Sequence, residues 1–101
     1  MRAIQRTQEA NDFLNSLKIK EGTESHRIAI VNRYRILAKL HEEQIMKFPG
    51  IRVLNSSPLI ISFRIDYREL ERISIYDGYE AVCLISDERL VVVKVEEIKV
   101  S

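Results

Sequence analysis

The spacing of apolar residues changes near residue 50, from a helical period before it to simple alternation after it. At about 100° per residue, Ile30, Val31, Tyr34, Leu37, Ala38, His41, Ile45 and Phe48 fall on one side of a helix. Asn32, Arg35, Lys39, Glu42 and Glu43 gather opposite, and a narrower stripe of Ala29, Ile36 and Leu40 runs along one flank. Thr23 and Glu24 supply a capping hydroxyl and a first-turn acid. Phe48-Pro49-Gly50 supplies the stop, since the residue before proline is pushed out of the α region. The pattern predicts one helix from Glu24 to Lys47, about 24 residues and roughly 36 Å long. Upstream, residues 2 to 6 suit a short strand. Thr7 suits an N-cap, and Ala10, Phe13, Leu14 and Leu17 define a short helix to about Lys18. Lys20-Glu21-Gly22 then joins the two helices into an antiparallel hairpin.

Beyond Gly50, Ile51 to Leu54 suits a brief strand that Asn55-Ser56-Ser57-Pro58 ends. Between Leu59 and Asp66, Ile61, Phe63 and Ile65 alternate with Ile60, Ser62, Arg64 and Asp66. Tyr67 to Leu70 forms a polar connection. Arg72 to Tyr76 alternates again and meets Asp77-Gly78, a strong hairpin signal. Tyr79 to Ile85 is the return strand, Ser86 to Arg89 a turn, and Leu90 to Val100 a last strand. The expected fold is one α+β domain over residues 1–101. In it, a helical hairpin, short helix then long, packs on a four- to five-stranded, mostly antiparallel sheet. The last strands are apolar on both sides: Val82 and Leu84 oppose Ala81, Cys83 and Ile85, while Val91, Val93 and Val95 oppose Leu90 and Val92. Either the chain covers both faces itself or one face meets a partner, and the apolarity points to a homo-oligomer or a protein partner.

Composition removes several classes of function. A net charge of +1 gives no global attraction to nucleic acid or anionic membrane. A single cysteine rules out an intrachain disulfide and suits a reducing compartment. The N-terminal stretch lacks an apolar secretory core, and no apolar run reaches the ~20 residues of a spanning helix, so a cytoplasmic protein without membrane contact is expected. Abundant Ile, Glu, Lys and Arg with few Asn and Gln resemble a thermophile's usage. His26, His41 and Cys83 stand at no metal-site spacing, so no metal is expected. His41 is expected on the apolar side of the long helix as a core histidine, and Cys83 as an inert mid-strand thiol. Three isolated glycines make no phosphate-cradling loop, and no cofactor is expected. Nothing in the chain fixes a reaction.

The remaining chemistry is a group of arginines. Arg64 and Arg72 both fall out of phase with the apolar sets of their strands, so as hairpin neighbours they would share one face. Ser62, Ser74 and Tyr76 share that parity, and Tyr67, Arg68 and Arg89 lie in adjacent turns. One reading is a solvated face balanced by Asp66, Glu71 and Glu80. The other is a surface on which Arg64, Arg68, Arg72 and Arg89 contact RNA phosphates while Tyr76 stacks on a base.

The order strand, helix, long helix and antiparallel strands resembles the RelE/ParE superfamily of small toxins. Arg2 to Leu17, with Thr7-Gln8-Glu9-Ala10, Phe13-Leu14 and Leu17, is similar to that family's opening. Glu71-Arg72-Ile73-Ser74-Ile75-Tyr76 is similar to its central strand, and Tyr79 to Arg89 to the strand that follows. The resemblance implies that Arg72 and Arg89 would stabilise charge at an RNA cleavage site. The chain departs from RNA-cleaving members in its near-zero charge and in carrying Ile61 and Phe63 where they carry lysines. Two functions follow as expectations: a non-catalytic, oligomeric interaction module, or a RelE/ParE-like toxin that cleaves RNA or inhibits a protein.

Overall fold

The computed structural model describes residues 1–66 and 76–99. Their elements run β1 (Ala3–Arg6), α1 (Gln8–Ile19), α2 (Glu24–Ala38), α3 (Glu42–Lys47), β2 (Ile51–Ser56), β3 (Leu59–Asp66), β4 (Tyr76–Ile85) and β5 (Arg89–Lys99). The five strands form one sheet in the order β1-β5-β4-β3-β2, antiparallel throughout except for β1, which lies parallel to β5. An α+β domain with a largely antiparallel sheet is therefore present.

Alternation along the strands decides which face is covered. Leu59, Ile61, Phe63 and Ile65 of β3 are buried, with Tyr79, Ala81, Cys83 and Ile85 of β4 and Leu90, Val92 and Val95 of β5. The same cluster takes in Ala10, Leu14 and Leu17 of α1, Ile30, Tyr34 and Leu37 of α2, and Ile45 of α3. Thr7 ties the helical layer to the sheet. Its hydroxyl accepts from the Ala10 amide at 3.2 Å and donates to the Val93 carbonyl at 2.6 Å, and its own amide donates to Val92. Thr23 does not cap α2 with its side chain. Its buried hydroxyl donates to the carbonyls of Leu17 (2.5 Å) and Lys20 (2.9 Å), which satisfies carbonyls left over at the end of α1.

The single long helix expected from Glu24 to Lys47 is two helices with a corner at 39–41. Lys39 still has helical dihedrals, but His41 is extended (φ −70°, ψ 157°) and starts α3 as its N-cap. His41, Glu42, Glu43 and Gln44 make a capping box: the Gln44 side chain accepts from the His41 amide at 2.9 Å. The carbonyls released where α2 ends are taken up by Arg2. Its amide donates to Ala38 at 3.0 Å, and its guanidinium donates to Leu40 and, at 2.6 Å, to Ser86. The bend returns Ile45 to the core, where it is fully buried, and turns His41 outward. His41 is thus an exposed cap and not the core histidine expected from the pattern.

Two further expectations fail for reasons of backbone geometry. Asp77-Gly78 is not a turn; it lies inside β4, where Gly78 pairs with Asp66 on one side and Ile98 on the other. Gly78 has φ +153°, and a Cβ there would sit 1.9 Å from the Ile65 carbonyl oxygen, so glycine serves a close strand approach. The strand expected at Arg72 to Tyr76 and the connection at Tyr67 to Leu70 fall outside the described residues, apart from Tyr76, which begins β4. In β5 a bulge changes the phase: Cys83 pairs with Val92, but Val82 pairs with Lys94, so one residue is extra. Val95 therefore joins Leu90 and Val92 in the core instead of Val91 and Val93.

Candidate functional site

The face of the sheet turned away from the helical core is the principal candidate. On it stand Ile60, Ser62, Arg64 and Asp66 of β3, then Glu80, Val82 and Leu84 of β4, with Val91, Val93, Lys94 and Glu96 of β5. Strand register sorts these into two zones. Toward the β4–β5 turn, Ile60, Leu84 and Val91 lie side by side, with Val82 and Val93 next to them, all half-buried. Ser62, directly opposite Val82, is 3% exposed and provides a small, flat centre. None of the three helices lies on this zone among the described residues; their buried side chains all belong to the opposite face.

The second zone is ionic. Arg64, Glu80 and Glu96 line up across β3, β4 and β5, which sets two carboxylates opposite each other, an unfavourable cross-strand pairing by itself. Each carboxylate has its own cation: Arg64 Nε reaches Glu80 at 3.0 Å, and Lys94 Nζ reaches Glu96 at 3.4 Å. Arg52, opposite Ser62, and Asp66 complete the rim. Among the described residues the face carries three cations, Arg52, Arg64 and Lys94, against three anions, Asp66, Glu80 and Glu96. It is an apolar surface with a neutral rim.

The candidate RNA-binding residues are not gathered into one place. Arg64 is exposed at 61% and committed to Glu80, on a level with the middle of β4. Arg89 begins β5 beside Ala3, at the other end of the sheet. Six residue steps and two strand spacings separate them, roughly 20 Å or more. A single phosphate cannot bridge that gap. Tyr76 begins β4, and Arg68 and Arg72 lie outside the described residues.

A polar contact inside the core is absent from the sequence expectations. His26, 5% exposed, has its Nδ1 2.7 Å from the Tyr79 hydroxyl, and Tyr79 in turn meets Phe13 edge-on at 6.0 Å. The signal was present, since His26 lies one turn before Ile30 on the same helical stripe. Cys83 is fully buried, and loss of water around it pushes its thiol up to about 12, which leaves no thiolate at neutral pH. Burial likewise raises the Tyr34 phenol above its ordinary value, against the opposing effect of Arg6. Near the α2–α3 corner, Arg2, Lys39, Leu40, His41 and Asp87 line a cleft of about 240 Å³. The guanidinium of Arg2 there is spent on backbone carbonyls. Among the described residues, His, Cys, Asp and Glu form no cluster of three able to hold a metal ion, and no helix is long and apolar enough to cross a membrane. Comparison of the chain with protein-family models, with curated proteins and with solved structures finds no match.

Proposed function

We propose that this chain is a small protein-interaction module of RelE/ParE-like architecture, non-catalytic and oligomeric, which binds through the apolar face of its sheet. The observation that carries this reading is the chemistry of that face. Half-buried Ile60, Val82, Leu84, Val91 and Val93 lie beside buried Ser62, and among the described residues the cations at the rim are matched by anions. An RNA-binding surface gains its affinity from uncompensated positive charge and counterion release. Arg64 is held by Glu80 and Lys94 by Glu96, so neither offers such charge freely. A protein surface, in contrast, supplies the apolar contact that the centre of this face requires.

The second reading is a RelE/ParE-like toxin. It rests on the residue pattern from Glu71 to Tyr76 and on exposed Arg89. Inducible expression in a bacterial host, with growth and messenger integrity followed, separates the two. Wild type and Arg72→Ala should both leave growth unaffected. RNA binding should be no tighter than the ~10⁻⁴ M of weak non-specific contact at physiological salt. Growth arrest with messenger cleavage, abolished by Arg72→Ala in a protein of unchanged thermal stability, would replace the module with the toxin.

A further inference from the structure

We infer that the occupant of the sheet face that no described helix covers is a second copy of the same chain, packed sheet against sheet about a two-fold axis. This inference rests on the interaction-module reading and adds the partner and the geometry. The charge pattern argues for it. In a two-fold contact the same patch lies on both sides, so a rim of one sign would repel its own copy. Here the rim sums to zero among the described residues, and each carboxylate of the Glu80–Glu96 pair stands beside a cation that can also reach across an interface. A basic ligand or an acidic one would each meet as many repulsive as attractive charges.

The shape agrees. Ser62 keeps the middle of the face low, between Ile60 and Leu84 on one side and the ionic row on the other. Side chains of two such faces interdigitate when sheets stack about 10 Å apart. From Gly78 to Leu84 the face runs roughly 23 Å along the strands, and from β2 to β5 roughly 19 Å across them. Pairing two copies then covers roughly 900 Å² in total, at the low end for a specific contact, and describes a weak, reversible dimer. The β2 edge is a poorer route to the same end. Exposed Val53 and Leu54 lie there, but the register shift between Val53 and Asn55 interrupts the run of backbone groups that a second β2 would need.

Sedimentation of the full chain from about 1 to 300 µM tests this at the concentrations where a weak dimer forms. The wild type should move from the 11.8 kDa mass toward twice that value. Leu84→Lys, in the apolar zone, should weaken the dimer at least tenfold. Should that variant misfold, Glu96→Lys alters a half-exposed side chain and turns the neutral face positive. It too should weaken the dimer at least tenfold, and added salt should recover part of the loss. Leu54→Lys, on the β2 edge, should change nothing. A wild type that stays monomeric throughout overturns the second-copy proposal and the oligomeric part of the module reading, while the growth assay judges the non-catalytic, protein-binding part separately. A dimer that survives Leu84→Lys and Glu96→Lys but dissociates with Leu54→Lys overturns the face assignment in favour of the edge.

Discussion

Gly78 and Gly50 show how differently one residue type is constrained at two places in the same chain. Both have positive φ, at +153° and +84°, which side chains of L-residues seldom adopt. At Gly50 a Cβ would meet nothing within 4 Å, so Gly50→Ala pays only the left-handed backbone cost, about 1–2 kcal/mol. At Gly78 the added carbon would sit 1.9 Å from the carbonyl oxygen of Ile65, which is strand backbone and cannot swing aside. Gly78→Ala should therefore cost about 3 kcal/mol or more, read as the loss of urea midpoint at unchanged slope. Equal midpoints for the two variants would mean that β3 and β4 separate easily at this end. The Asp77-Gly78 pair illustrates a limit of local signals. The dipeptide is compatible with a hairpin turn, and also with a bulge where two strands approach too closely for a side chain. Only the position of β3 distinguishes them.

At the scale of elements, α1, β1, β2, β3 and β5 were legible in the sequence, because each has a period or a terminator of its own, whereas β4 begins three residues earlier than the Asp77-Gly78 signal implied. Thr7 caps α1 where the pattern placed it, and Leu59 to Asp66 is β3 to the residue. The corner between α2 and α3 is hidden in the sequence because the helical period continues through Leu40 and His41 with no glycine or proline to interrupt it. What breaks it is partly remote: Arg2, 36 positions before Ala38 in the chain, collects the carbonyls at the corner. Its guanidinium also holds the β4–β5 turn through Ser86, so one side chain fastens three segments. Arg2→Met keeps the apolar stem and removes the donors. It should cost about 1–3 kcal/mol, as carbonyls lose charge-assisted bonds in a largely buried place. Arg6→Met, at an exposed position on the same strand, should change stability by no more than about 0.5 kcal/mol. A chemical-denaturation pair showing no difference would remove Arg2 as the cause of the corner. The candidate site was legible only by half. Alternation put Val82 and Leu84 on one side of their strand and Arg64 out of phase with the core set of its own, but the facing of Lys94, Val95 and Glu96 depends on a bulge that no local pattern announces.

For the whole molecule, the first strand lies against the last, with Ala3 beside Arg89 and Arg6 beside Val92. α1 is tied through Thr7 to the backbone of β5, and α2 reaches β4 through His26 and Tyr79. Among the described residues no group of elements has a core of its own: the buried apolar residues of the three helices and of β3, β4 and β5 form one cluster. Unfolding should accordingly be a single cooperative event. Leu37→Ala is the sharpest probe, because Leu37 is fully buried where α2 meets this cluster. The cavity it leaves should cost about 2–5 kcal/mol. Far-UV circular dichroism follows all elements together, whereas the fluorescence of buried Tyr34 and Tyr79, read with Tyr67 and Tyr76 replaced by Phe, reports the helix–sheet contact. Both signals should give one midpoint in the wild type and should move together in Leu37→Ala, with Lys39→Ala shifting neither by more than about 0.5 kcal/mol. If the tyrosine signal is lost at lower denaturant than the backbone signal, the helical layer detaches from an intact sheet. The face that meets the helices would then become exposed before the sheet unfolds, and aggregation through it, rather than the weak dimer on the outer face, would dominate association near the transition.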